Sequence, residues 1–143
     1  MTVKAILSTK GRSVVTIAPT ISLSMAVKIL AENRIGAVVV TNANHGVEGI
    51  LSERDLVRAL AEHGASVLDQ PVEKVMTKKV VTCVETDTVN DMMERMTAGK
   101  FRHVPVLEGE RLAGIISIGD VVKHRLMQIE GEANALREYV MTA

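Results

Sequence analysis

The chain repeats itself, and a repeat limits the fold more tightly than any single motif, because whatever one copy builds the other must build too. Gly49-Ile50-Leu51-Ser52-Glu53-Arg54-Asp55-Leu56-Val57-Arg58 lies over Gly114-Ile115-Ile116-Ser117-Ile118-Gly119-Asp120-Val121-Val122-Lys123, with five of the ten positions identical and three more conservative. Upstream, Val14-Val15-Thr16 matches Val80-Val81-Thr82, and Val38-Val39-Val40 matches Val104-Pro105-Val106, both at an offset of 66 residues. The offset falls to 65 at the glycines, so one residue is lost in a turn. Val3-Lys4-Ala5-Ile6-Leu7 also resembles Val72-Glu73-Lys74-Val75-Met76, the first copy carrying three extra residues around Ser8 to Ser13. The expected division is residues 1–64 for the first repeat, 65–127 for the second and 128–143 for a C-terminal helical tail, with His63 to Pro71 as the linker.

Each copy reads as strand, helix, strand, strand, helix. A short strand near Val14–Ile17, or Val80–Val84, leads to a helix near Leu23–Asn33, or Val89–Ala98. Leu23, Ala26, Val27 and Leu30 keep to one helical face, as do Val89, Met92, Met93 and Met96, which makes both helices core elements. Thr88 with Asp91 predicts a capping box. A hairpin follows, Gly36–Thr41 with Val47–Leu51 and His103–Leu107 with Leu112–Ile116, and then a closing helix from Glu53 or Ile118. One copy alone leaves a sheet face bare, and two packed sheet to sheet with helices outside would cover both. The class is α+β.

Beyond the second copy, Val122, Leu126, Ile129, Ala133, Leu136 and Val140 are spaced 4, 3, 4, 3, 4, a heptad-like seam weakened by Ala133 and the nearby Gly131. Two readings stay open: a helix packed on its own domain, or a seam for a partner subunit.

Charge and composition narrow the function. Seventeen basic residues balance seventeen acidic ones, so no net positive field draws in nucleic acid or anionic lipid. One Phe, one Tyr and no Trp leave no platform on which bases could stack. A single cysteine excludes an internal disulfide and fits a reducing compartment. No run nears the ~20 apolar residues of a membrane span, and Lys4, Lys10 and Arg12 interrupt any signal-peptide core. A cytoplasmic protein is expected. The four histidines lack ligand spacing, so no metal is expected, and Cys83, which aligns with Ile17, reads as a small hydrophobe. With neither a positioned nucleophile and base nor a P-loop, the chain is not expected to be an enzyme.

The repeated Gly-x-x-Ser-x-x-Asp has two readings. Ser-x-x-Asp ahead of an apolar helix is a capping box. The same helix start, rich in unpaired N–H groups, suits a phosphate, while the aspartate can accept both hydroxyls of a ribose.

With Val72-x-x-Val75-Met76-Thr77 leading one copy and Arg102-His103-Val104-Pro105-Val106 in it, the ordered set resembles a tandem pair of CBS domains, a Bateman module, over residues 1–127. The resemblance implies two βαββα repeats in pseudo-twofold contact, with two clefts that take AMP, ADP, ATP, NAD(H) or S-adenosylmethionine, AMP foremost. It also implies a homodimer, an as yet unidentified target protein, and a sensor that signals by conformational or oligomeric change. On this resemblance the first site would use Thr16, Ile17, Ile35, Gly36 and Ala37, with Ser52, Arg54 and Asp55 on phosphate and ribose, and Lys10 as a further cation. The second would use Thr82, Cys83 and Val84, then Arg102, His103, Val104 and Pro105, with Ser117 and Asp120. The alternative is an interaction module with vestigial clefts.

Overall fold

The computed structural model describes residues 1–142; Ala143, the last residue of the expected tail, lies outside them. The chain runs α1 (Val3–Lys10), β1 (Thr16–Ile17), α2 (Leu23–Asn33), β2 (Ala37–Thr41), β3 (Val47–Ser52), α3 (Glu53–His63), two short 3-10 turns (Ala65–Asp69 and Val72–Lys74), α4 (Val89–Gly99), β4 (His103–Glu108), β5 (Arg111–Ser117) and α5 (Ile118–Thr142). The first sheet orders β1-β2-β3, with β1 parallel to β2 across α2; the second is the hairpin β4-β5. The α+β architecture is that of two matching halves related by a pseudo-twofold axis, their helices on the outside.

The duplication extends to single hydrogen bonds. Ala37 pairs with Ser52 and His103 with Ser117, and each hairpin shifts register at the same place, Val40/Thr41 and Val106/Leu107. Ser22 and Thr88 each accept the backbone N–H three residues on, of Met25 and Asp91, but Asp91 makes no return bond, so only half of the expected box forms there. Both of these helices end in a left-handed residue that is not glycine, Arg34 at φ 53° and Lys100 at φ 57°. A side chain in that region is disfavoured, and its use at both equivalent positions turns the chain sharply into the segment that leads to β2 or β4.

The leading strands are shorter than expected. Of Val14–Ile17 only Thr16 and Ile17 pair, and Val80–Val84 contributes a lone bridge, Cys83 with Val106. Both lie at a sheet edge, where a strand has a single neighbour to hold it.

The cores exchange their leading segments. Val3, Ile6 and Leu7 of α1 pack with Met92, Met96, Val104, Val106, Ile116 and Val121 of the second copy. Val72, Val75 and Met76 pack with Leu23, Leu30, Val38, Val40 and Leu51 of the first. The straps match bond for bond. Val3 N–H donates to Asp87 O, Lys4 to Glu85 O, and Val89 to Met1 O; in the mirror set Val72 donates to Ile21 O, Glu73 to Pro19 O, and Leu23 to Gln70 O. Arg12–Glu85 adds an ion pair to the first of these. The expected linker is not loose, since its Val67 is buried in the first core.

The C-terminal segment is no separate tail. It continues the second Ser–Asp helix as one 25-residue rod, about 37 Å long at 1.5 Å per residue. Only Val121 and His124 of it are buried, and every described residue past Gln128 is exposed. Its first turns pack on their own domain through Val121, but the rest does not: Leu126, Leu136 and Val140 are 55, 63 and 66% exposed.

Candidate functional site

Two clefts open where the copies meet, and each draws on both. The first, about 240 Å³, is lined by Gly36, Ala37, Ile50, Ser52, Glu53, Arg54, Asp55 and Arg58 of the first copy and by Thr77, Lys100, Phe101, Arg102 and His103 of the second. The second, about 340 Å³, is lined by Lys10, Ser13, Val14, Val15, Ile35, Gly36 and Ala37 with His103, Ile115 and Ser117. Gly36, Ala37 and His103 belong to both.

The motif carboxylates sit at helix starts, in different states. Asp55 completes a full capping box on α3: its Oδ2 accepts the Ser52 N–H at 2.9 Å and the Ser52 hydroxyl at 3.2 Å, while Ser52 Oγ accepts the Asp55 N–H at 3.3 Å. Thr77, from the segment leading the second copy, donates to its Oδ1 at 3.1 Å. A carboxylate has about four acceptor positions, and these three bonds leave one of them, in a residue 7% exposed.

Asp120 is more open. Its Oδ2 accepts the Ser117 N–H at 2.9 Å and the Lys10 ammonium at 2.7 Å, and its Oδ1 has no partner among the described residues. Burial alone would raise its pKa, but the bonds from Lys10 and Ser117 outweigh that and hold it below the usual aspartate value. Lys10 also donates to Ile115 O at 3.0 Å, so the end of α1 bridges into the second copy's motif.

The cations are unevenly shared. Arg54, Arg58, Lys100 and Arg102 face the first cleft against Glu53 and Asp55; Lys10 serves the second against Asp120, and His103 lines both. Burial, with Lys10 next, pushes the His103 pKa below the ordinary histidine value. The first cleft therefore offers more positive charge, the second more room.

Of the residues singled out in the sequence, the structure gathers Gly36, Ala37, Ser52, Arg54, Asp55, Arg102 and His103 at the first cleft. Arg102 thus stands with Asp55, across the interface from its own motif. Lys10, Ile35, Gly36, Ala37, His103 and Ser117 line the second, and Asp120 reaches it through Lys10 and Ser117. Ile17, Cys83 and Val104 lie in the cores, Pro105 is buried, Thr82 is half-buried, and Thr16 and Val84 are exposed; none of these seven lines either cleft. Burial pushes the Cys83 thiol up to about 12, which leaves it unreactive. Sequence reasoning missed Ser13, Val14 and Val15, which lie just before β1, and Lys100, Phe101 and Thr77. The exchange of leading segments puts Thr77 in the first copy's cleft, and no pattern within one copy signals that. Lys100 was within reach, because it aligns with Arg34 at a helix end just before the cleft wall.

No group of His, Cys, Asp and Glu among the described residues could hold a metal ion, and no described helix is long and apolar enough to cross a membrane.

With this geometry in place, residues 3–62 and 72–126 match the CBS domain profile. The chain belongs to the CBS-domain family. Among solved structures it is similar to the CBS-domain containing protein ATU1752 of Agrobacterium tumefaciens, with 55% identity, a TM-score of 0.84, and coverage of 87% of this chain and 99% of that one. It is also similar to the CBS domain protein PAE2072 of Pyrobaculum aerophilum complexed with AMP, at 28% identity, TM-score 0.79, and 91% and 97% coverage. A third is the CBS domain pair of MJ0100 in complex with 5′-methylthioadenosine and S-adenosyl-L-methionine, at 26% identity, TM-score 0.78, and 90% and 98% coverage. The chain spans 63% and 58% of the length of curated relatives to which it is 36% and 32% identical. Two CBS repeats thus build both clefts.

Proposed function

We propose that the chain is a non-catalytic regulatory module that binds adenine nucleotides in its two clefts and signals through a change in the arrangement of its repeats or subunits. The observation that carries this is the first cleft. There Ser52 and Asp55, whose carboxylate keeps one acceptor position for a ribose hydroxyl, face Lys100 and Arg102 of the other CBS repeat, suited to phosphate, with Ile50, Ala37 and Phe101 as apolar walls. Related CBS pairs hold AMP, 5′-methylthioadenosine and S-adenosyl-L-methionine, all of them adenosine compounds. AMP is the leading ligand, with ATP, ADP, NAD(H) and S-adenosylmethionine as the wider class. The four cations of the first cleft favour the more highly charged occupant there. A ligand that spans both repeats shifts their equilibrium by no more than its difference in affinity for the two arrangements. The exposed seam on α5 supports a homodimer, and the free, buried Cys83 is in keeping with a reducing, cytoplasmic setting.

A second reading, an interaction module with vestigial clefts, is favoured by one observation: both motif carboxylates are already engaged, Asp55 by Ser52 and Thr77, Asp120 by Lys10. Calorimetry with AMP, ATP and NADH separates the two. On the nucleotide reading Asp120→Ala loses a charged sugar contact worth ~1.5–3 kcal/mol, roughly tenfold to 150-fold in affinity. On the other reading no nucleotide binds, and Asp55→Ala shows only the ~0.5–2 kcal/mol loss of a helix cap in thermal melts.

A further inference from the structure

We propose that the His103 imidazole is one proton acceptor shared by both clefts, so that an anionic group entering either cleft draws a proton onto the same ring and the two occupants are coupled through it. This rests on the nucleotide-binding reading above and concerns the regulation of that same pair of clefts.

The pseudo-twofold symmetry is broken at this ring. His103 opens β4 in register with Ser117, and its counterpart Ala37 opens β2 in register with Ser52. Backbone and pairing are alike at the two positions, yet one bears a ring and the other a methyl group. Both positions line both clefts, so a histidine at each would set two rings between them. With one, a single ring serves both, and among the described residues His103 is the only titratable one lining the two. Gly36, the facing residue, leaves the space between open: a Cβ there would lie 3.5 Å from Glu53 Oε1 and 3.8 Å from His103 Cε1. No side chain of Gly36 screens the imidazole.

Opposing charges act on the ring in the free protein, and those against a proton prevail. Lys10 of α1 and the adjacent Arg102 disfavour a proton, as does burial, the largest influence; Glu53 of α3 and Asp120 of α5 favour one. The sum keeps the ring neutral near pH 7. A phosphate in either cleft adds negative charge beside it and tips the balance toward the imidazolium, the proton coming from solvent. A second phosphate then meets a ring that is already charged. Proton uptake at His103 therefore does not add between the clefts.

The test follows the histidine Cε1–H resonances by NMR during titration with AMP at pH 7, the His103 signal being identified by its loss in His103→Gln. Arg54→Glu handicaps the first cleft and Ser13→Trp the second, both at exposed residues outside the charges that act on the ring. The His103 signal is expected to move toward its protonated position in both variants. Proton uptake, measured by calorimetry in two buffers of different ionisation enthalpy, is compared with that of His103→Gln to remove the phosphate's own titration. The His103-dependent share should stay at or below one proton with both clefts filled. His103→Gln should weaken AMP roughly tenfold in each cleft. A His103 signal that moves in only one variant, or AMP binding that leaves it still, overturns the shared-proton proposal. If AMP moves no resonance of the native protein, the nucleotide-binding reading has failed, and this proposal with it.

Discussion

Gly49 and Gly114, the first letters of the repeated motif, are each pressed by the segment that leads the other CBS repeat. A Cβ on Gly49 would stand 2.7 Å from Met76 Sδ and 2.9 Å from the Thr77 carbonyl oxygen; one on Gly114 would stand 2.7 Å from Leu7 Cδ2. Leu7 and Met76 are equivalent residues, so this is one contact made twice. The two are not equally forgiving. The end of a leucine side chain can turn aside, whereas Thr77 is tied by reciprocal backbone bonds with Ile50 at 3.0 and 2.9 Å. Gly49→Ala is therefore expected to cost about 1–3 kcal/mol and Gly114→Ala less. Thermal denaturation of both variants checks this, and equal melting points would contradict it. That these glycines matter is legible in the repeat. Why they matter is not, because the atoms that exclude a side chain belong to distant stretches of chain.

Among the elements, α5 departs furthest from its counterpart. In the first CBS repeat α3 closes the unit and stops at Gly64; in the second the same start runs on to Thr142. Along it Val122, Leu126, Ile129, Leu136 and Val140 keep the seam read from their spacing, all at least 39% exposed. An aliphatic stripe of this length left in water invites a partner helix. A chain ending at Met127 is expected to dimerise more weakly in light scattering, while an undiminished dimer would locate the interface on the repeats themselves. Spacing alone told which residues share a face of α5. It could not tell whether that face turns toward its own domain, since both arrangements demand the same pattern.

At the scale of the whole molecule, each half depends on the other for its core. Val3, Ile6 and Leu7 are at most 1% exposed and lie among side chains of the second repeat. A chain beginning at Ser13 should lose that repeat's cooperative melting, since burying one such aliphatic side chain is worth about 1.5–3 kcal/mol. Circular dichroism detects the change, and a single sharp transition at the native temperature would argue that the exchanged helix is dispensable. The duplication is read by laying the chain over itself, and helix α2 to the residue, both hairpins and the two Ser–Asp helix starts follow from local periodicity and capping chemistry within one copy. That the leading segments trade cores, that Arg102 and Asp55 line one cleft, and that His103 lines both emerge only once the chain is folded. Those facts turn on how one copy is rotated against the other, and the energy of that contact is spread over residues far apart in the chain.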